Sequence, residues 1–438
     1  MNDIVIHGTY FSSINRDEVI TCEGYLICVD QTGTISRTIA PCEDDFNTVL
    51  QEAKQSDRLV ELKDNQYILP GFIDLHIHAP QWPQAGLALD LPLADWLNHY
   101  TFPLEAKYQD LEYAKMVYKD LIHELLSQGT TTALMFGTIH TEANLVLARQ
   151  SAAAGLRAYI GQVVMDNPEQ TPEFYRNKST QEALEANEEF ILAMQELAKQ
   201  TQSTLVPVIT PRFVPSCTDE TLAGLAKQAK QYDLPIQSHL SESDWEHNYA
   251  IERFGLHDTE VMEKFGLLTD KSVMAHGTQL TDSDLATLHH KQTAIAHCPI
   301  SNSYFGNAVL PTKKILRQGN KIGLGSDISG GYSPSLYYNI RQAVKSSQML
   351  EDGVDSAQPA QSRGVKSSRI TMANAFYLAT LAGAEALHLK AGKIAPGYQA
   401  DLQIVNAHPA LMNLSQDDIF QRLMYQTERS DIAQVYVG

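Results

Sequence analysis

Positive charge is scarce in this chain: 33 Lys and Arg stand against 52 Asp and Glu, a formal net charge of -19 over 438 residues. Capture of a phosphate backbone relies on clustered Lys and Arg that displace counterions, so nucleic acid is excluded as a partner. Cysteine is scarce too. Cys22, Cys28, Cys42, Cys217 and Cys298 are odd in number, scattered and without a CxxC pair, which excludes a disulfide scaffold and a thiolate zinc site. A reducing, cytoplasmic setting is expected. Long apolar runs are missing as well. The first twenty residues carry Asp3, Arg16, Asp17 and Glu18, and no later run reaches membrane-spanning length, so the chain is expected to be neither exported nor inserted. No internal repeat or low-complexity tract appears.

What is present is an ordinary globular composition, 43% hydrophobic and 19% charged. The length suits one large domain with an accessory module, or two to three ordinary domains. From residue 69 onward, short apolar runs rich in β-branched residues recur at 69–78, 130–135, 157–164, 205–210, 235–239, 272–276, 293–297 and 321–327. Stretches of helical periodicity separate them, among them 111–127, 181–199, 219–232, 259–265, 282–289 and 312–318. Strands that alternate with helices predict a parallel sheet, and eight such units closing on themselves make a (β/α)8 TIM barrel. Residues 1–68 show short alternating runs and turn formers instead, and the tail from 392 repeats that style. The expected organisation is therefore a barrel over 69–391 and a small β-sandwich domain formed from 1–68 and 392–438, since chain termini commonly lie close together. Segments 351–368, after the eighth strand, and 166–180, after the third, read as mobile loops.

In such a barrel, function gathers at the C-terminal ends of the strands. The first run ends in His76 and His78, two residues apart, so both imidazoles share one face of a strand. That pair alone is weak evidence for a metal, but later runs end in His239, with Glu242 three residues on, and in His276, His297 and Asp327. Three histidines and a carboxylate from different strands suit Zn2+, which takes imidazole and Asp oxygen and keeps a position for water in catalytic sites. His76, His78, His239 and Asp327 are the candidate ligands. A bound divalent ion lowers the pKa of water to about 7, which defines a hydrolase. Glu242 and Asp327 can divide the general acid and general base work, with His276 hydrogen-bonded to the water. Other readings stay open: Asp327 as the cap of a following helix, Glu242 as a solvated loop charge, and His297 as a residue that orients the loop after it.

The segments PGFIDLHIH (70–78), QSHLSE (237–242), MAHG (274–277), HCP (297–299) and GLGSD (323–327) resemble the amidohydrolase superfamily over nearly the whole chain. Further segments, DLPL (90–93), WL (96–97), YTFP (100–103), GTTTA (129–133) and TPRF (210–213), are similar to the branch of that superfamily that deaminates guanine. The resemblance implies a barrel with a small β-sandwich side domain, one zinc, a homodimer, and conversion of guanine and water to xanthine and ammonia. It implies His76, His78, His239 and Asp327 as zinc ligands, Glu242 as proton shuttle to the purine, and His276 as partner of the attacking water. Asp327 would take the water's proton and pass it to the leaving amine. Gln81, Arg212 and Phe213 match the purine-contacting positions, where Arg212 can donate, Gln81 can donate or accept, and Phe213 can stack. A structural ion pair is the other reading of Arg212. Two-metal members of the superfamily carry a modified lysine at the end of the fourth strand, and 205–213 holds no lysine, so a single metal is expected. Cytidine-type deaminases use HxE with PCxxC, a pattern this sequence lacks. Pro80 departs from the family's small polar residue before Gln81. Hydrolysis of another heterocycle, such as adenine, a thiopurine, cytosine or a triazine, is the enzymatic alternative; a scaffold that has lost catalysis is the non-enzymatic one.

Overall fold

The computed structural model describes residues 3–410 and 412–438. The chain opens with an antiparallel ribbon, β1 (Ile4–Asn15) and β2 (Glu18–Val29), to which β3 (Ile35–Ile39), β4 (Leu59–Glu61) and β5 (Gln66–Pro70) are added. Successive residues of these strands face opposite sides, and both sides are apolar: Ile6, Tyr10, Ile27 and Ile68 cluster on one, Val5, Leu26 and Ile39 on the other. A helix, Phe46–Gln55, packs Phe46 and Ala53 against Val5, Leu26 and Ile39; sequence reading did not anticipate it.

After Gly71 the pattern changes. β6 (Phe72–His78), β7 (Thr130–Phe136), β8 (Arg157–Val164), β9 (Leu205–Pro211), β10 (Ile236–Leu240), β11 (Ser272–His276), β12 (Ala294–His297) and β13 (Ile322–Leu324) pair in sequence order, all parallel. The ring closes past the end of β13, where Asp327 N donates to His76 O (2.8 Å) and His78 N donates to Ile328 O (2.6 Å). This is the expected (β/α)8 barrel. Nearly every strand residue is buried, because helices cover the outer face and side chains fill the bore. On β6, Ile73 and Leu75 join an apolar cluster with Ala384 and Leu387, while Asp74 alternates with them and accepts hydrogen bonds from His76 N (3.1 Å) and Ser326 N (2.9 Å). Each fully buried Ile or Leu of that cluster contributes about 1.5–3 kcal/mol.

β14 (Leu402–Asn406) and β15 (Ile432–Tyr436) return to the first sheet, where β14 lies between β5 and β15 and the order is β15-β14-β5-β1-β2-β3, with β4 on β1. Both ends of the chain thus share one mixed sheet. Three differences from expectation have local causes. The run that begins at Leu69 divides at Gly71, where a Cβ would lie 2.5 Å from the Thr131 side chain, so Leu69 and Pro70 belong to β5 and the barrel strand starts at Phe72. A helix, Gln416–Gln426, capped by Ser415 and Asp418, stands between the last two strands. The loop around 351–368 does not follow the eighth strand directly, since a helix, Leu336–Asp352, comes first.

Candidate active site

The barrel places the sequence's candidates where the fold locates function. His76 and His78 end β6, His239 stands near the end of β10 with Glu242 just beyond it, His276 ends β11, and Asp327 follows β13. Their backbones leave strand geometry abruptly. Ser241 (φ 48°), His276 (φ 72°) and Asp327 (φ 52°) all sit in the left-handed region that non-glycine residues seldom occupy, so surrounding contacts must hold them there. For Ser241 the holder is buried Asp258, which accepts from its amide (2.8 Å) and its hydroxyl (3.2 Å).

Four imidazoles converge. The ring centroids of His76 lie 4.9 Å from those of both His78 and His239, and 5.2 Å from that of His276. His239 Nδ1 donates to the Arg212 carbonyl (2.6 Å), which in the neutral ring leaves a lone pair on Nε2, and that atom faces His78 Nε2 at 2.9 Å. His76 Nε2 has no hydrogen-bond partner and lies 3.2 Å from Asp327 Oδ1; His78 Nε2 lies 3.7 Å from the same oxygen. Burial first, and then the neighbouring imidazoles, push the pKa values of all three histidines well below the ordinary value, so they are neutral and their lone pairs are free. The ligand nitrogens of His76, His78 and His239 lie within 4.8 Å of one another, and Asp327 Oδ1 lies beside those of His76 and His78; such a set fits a divalent cation, which these four residues would hold.

A second cluster, Glu242, His276 and Asp327, adjoins the first. His276 Nε2 is 3.7 Å from Glu242 Oε2 and 3.9 Å from Asp327 Oδ2. Its Nδ1 donates to Asn302 Oδ1 (2.9 Å), which fixes the tautomer and turns a bare Nε2 toward the carboxylates. Glu242 is 6% exposed, which removes the reading of a solvated loop charge. Burial and the charge of Asp327 raise its carboxyl well above the ordinary value. Burial raises Asp327 as well, against the opposing influence of His276. Asp327 caps no helix, because the next one begins at Leu336 behind Ser335.

A pocket opens over these groups, with about 440 Å³ of space that includes its open mouth. Leu93, Trp96, Leu97, Phe213, Trp245 and Phe305 supply its apolar walls, and Gln81, Arg212 and Glu246 its polar ones. A few directed polar groups among aromatic walls suit one small flat molecule. Gln81 reaches the pocket from the 3-10 turn Ala79–Gln84, so Pro80 does not withdraw it. Arg212 forms the ion pair that was its other reading, bound in two-pronged fashion by buried Glu105, Nη1 to Oε2 at 2.8 Å and Nη2 to Oε1 at 3.1 Å, and it also lines the pocket. Burial acts to lower its pKa, but the Glu105 charge and hydrogen bonds outweigh that and raise it. Removing one partner of such a buried pair leaves the other stranded, at a cost of about 3–5 kcal/mol.

His297 does not join the metal cluster; its Nδ1 has no partner, and burial holds its pKa near 3, so it stays neutral. The loop contact foreseen for it belongs to Asn302, which binds His276. Sequence reading missed Glu105, Asn302, Trp245 and Phe305. Glu105 had one signal, a charge set directly beside Phe102 and Leu104; the other three reach the site only through tertiary contacts. The segment 166–180 is tied down by Asp166, which accepts from Thr218 N (2.9 Å) and from the Thr180 (2.8 Å) and Thr221 (2.6 Å) hydroxyls. No helix among the described residues is long and apolar enough to cross a membrane.

Residues 67–437 match the model of the amidohydrolase family. With that match and this fold and site, the chain belongs to the amidohydrolase family. It is similar to the guanine deaminase of Dictyostelium discoideum, at 34% identity over 98% of this chain and 96% of that one. The guanine deaminase of Homo sapiens is 36% identical over 99% of this chain and 95% of its own length. Among solved structures, a guanine deaminase from C. acetobutylicum with guanine bound in its active site superposes with a TM-score of 0.88 at 30% identity, covering 100% of this chain and 99% of that one.

Proposed function

We propose that this chain is a zinc-dependent hydrolase that deaminates guanine to xanthine and ammonia, a step of purine catabolism and salvage. The observation that carries the chemistry is the meeting of His76, His78, His239 and Asp327 beneath a pocket with Arg212 and Gln81 on its wall. Similarity to guanine deaminases along almost their whole length supports the substrate. His76, His78, His239 and Asp327 would hold one zinc, whose chemistry would be to make water available as a nucleophile near neutral pH. Asp327 and Glu242 then divide the proton work. Asp327 takes a proton as the water oxygen bonds to C2 of the purine, and Glu242 delivers its proton to N3, so that C2 becomes tetrahedral without charge accumulating on the ring. As the C2–N bond breaks, Asp327 returns the proton to the departing amine, and Glu242 recovers one from the product. His276 accepts a hydrogen bond from the water through Nε2 and holds its oxygen toward the substrate. Phe213 stacks on the base, and Arg212 donates to its ring acceptors.

A cytoplasmic homodimer completes the reading; its support is family resemblance, together with cysteines that are all unpaired among the described residues. Purified zinc-loaded protein should release ammonia from guanine much faster than from adenine, a thiopurine, cytosine or an aminotriazine. Faster release from any of these would overturn the substrate, and no release with zinc or iron absent from the protein would favour a scaffold.

A further inference from the structure

Glu105 binds both Gln81 and Arg212 on the pocket wall, and the reading of that pocket as a guanine site gives it no role of its own. It ends the helical turn Phe102–Glu105 and is fully buried. One oxygen, Oε2, accepts from Arg212 Nη1 (2.8 Å); the other, Oε1, accepts from Arg212 Nη2 (3.1 Å) and from Gln81 Nε2 (2.9 Å). We infer that Glu105 is the positioning residue that sets substrate preference, by fixing the orientation of the Gln81 amide and the Arg212 guanidinium together. This inference rests on the guanine reading and adds to it the means by which the base is told from its analogues.

A glutamine amide can turn over and offer either its oxygen or its nitrogen. Here a carboxylate, which only accepts, ties down the nitrogen, so the oxygen end is defined. Oε1 of Gln81 receives one long bond, from Ser329 N (3.4 Å), and keeps acceptor capacity toward the pocket it lines. Arg212 has five N–H donors, of which Glu105 takes two, and the rest of its planar fork is locked by that pairing. An acceptor held beside a donor complements a ring edge that carries N–H beside C=O. Guanine has that edge at N1 and C6. A 2-aminopurine has the same leaving group but a bare N1 and no oxygen, so the Gln81 oxygen would meet a lone pair. Discrimination is strong when a site's buried polar groups are left unmatched by the wrong ligand.

Glu105→Gln and Glu105→Asp test this, with the KM and kcat for guanine and the inhibition constant of 2-aminopurine measured on each and on the parent protein. Glu105→Gln should raise the guanine KM about tenfold or more while kcat and the 2-aminopurine constant move less than about threefold. Glu105→Asp, which keeps the charge and draws it back by one methylene, should fall between the parent and Glu105→Gln. If Glu105→Gln does not fold, the aspartate variant carries the same comparison. Equal weakening of both ligands, or an unmoved guanine KM, overturns the inference and leaves Glu105 a structural ion pair. Absence of guanine turnover in the parent protein would instead overturn the substrate reading itself.

Discussion

Replacing Glu242 by glutamine separates proton transfer from every other property of the site. Gln keeps the size and one hydrogen-bond donor, so it can still touch a ring nitrogen, but it has no proton to give and take. The proposed ligands His76, His78, His239 and Asp327 are untouched, and the metal should stay. General acid–base catalysis by a placed side chain is worth about 10²–10⁴-fold. Glu242 is buried and its carboxyl is raised by burial and Asp327, which puts it toward the upper part of that range. A kcat loss of about 10³–10⁴ follows, roughly 4–5.5 kcal/mol at 1.36 kcal/mol per decade, with the KM for guanine changed by less than about threefold. The same variant makes a stability prediction whose sign can be worked out. The folded carboxyl is held above its ordinary value of 4.5. Between that value and the raised one, the folded state binds more protons than the unfolded, so the metal-free protein loses stability as pH rises through the window. Glu242→Gln should flatten that decline. Steady-state ammonia assays, metal analysis by mass spectrometry, and urea midpoints of chelated protein from pH 5 to 8 read all three. Retention of more than about a tenth of the parent kcat with metal bound would refute the proton-shuttle role, and an unchanged pH slope would refute the electrostatic account.

Dialysis against a strong chelator should abolish ammonia release, and zinc should restore it to a single equivalent; zinc at about a hundred times its Kd should also raise folding stability by roughly 2.7 kcal/mol, read by thermal melting. Gly325→Ala would place a Cβ 2.7 Å from His76 Cβ and 3.1 Å from Cys298 Sγ, so it should cost about 1–3 kcal/mol and lower zinc affinity, measured by urea unfolding and competition with a chromogenic chelator. Iodoacetamide at pH 8 should label exposed Cys42 and spare Cys217, whose thiol burial pushes up to about 12, and Cys298, which burial also raises; peptide mass spectrometry of briefly treated native protein decides it.

The barrel was legible because its signals are local. β-branched runs alternate with helical periodicity, and a two-residue spacing puts His76 and His78 on one side of a strand whatever the rest of the chain does. The helices opened by the caps Asp110, Ser179 and Thr281 were read to within a few residues, whereas Asp244–Phe254 and Met372–Ala379, capped by Ser243 and Thr371, were not named. The helices Phe46–Gln55 and Gln416–Gln426 were overlooked because each is short and set among alternating strand residues. The boundary at Gly71 was hidden for a different reason: the apolar run continues through it, and only the close approach of Thr131 shows why a residue without a Cβ divides two sheets there. Glu242 could be guessed from its offset to His239. Glu105 could not, because its partners Gln81 and Arg212 lie 24 and 107 positions away and no period links them. Nor does any local rule place Ser241, His276 and Asp327 at positive φ, since none is glycine.

Because Gly71 alone separates β5 from β6, the strand that bears His76 and His78 is moored through β5 to β14, which is synthesised long after it. Gln403 donates to Pro70 O (2.9 Å) and the Asp401 carbonyl accepts from Gly71 N (2.7 Å), so this mooring is set only after the eighth barrel strand has long left the ribosome. A nascent chain that has released all eight barrel strands thus still lacks these two anchors of the strand that bears His76 and His78.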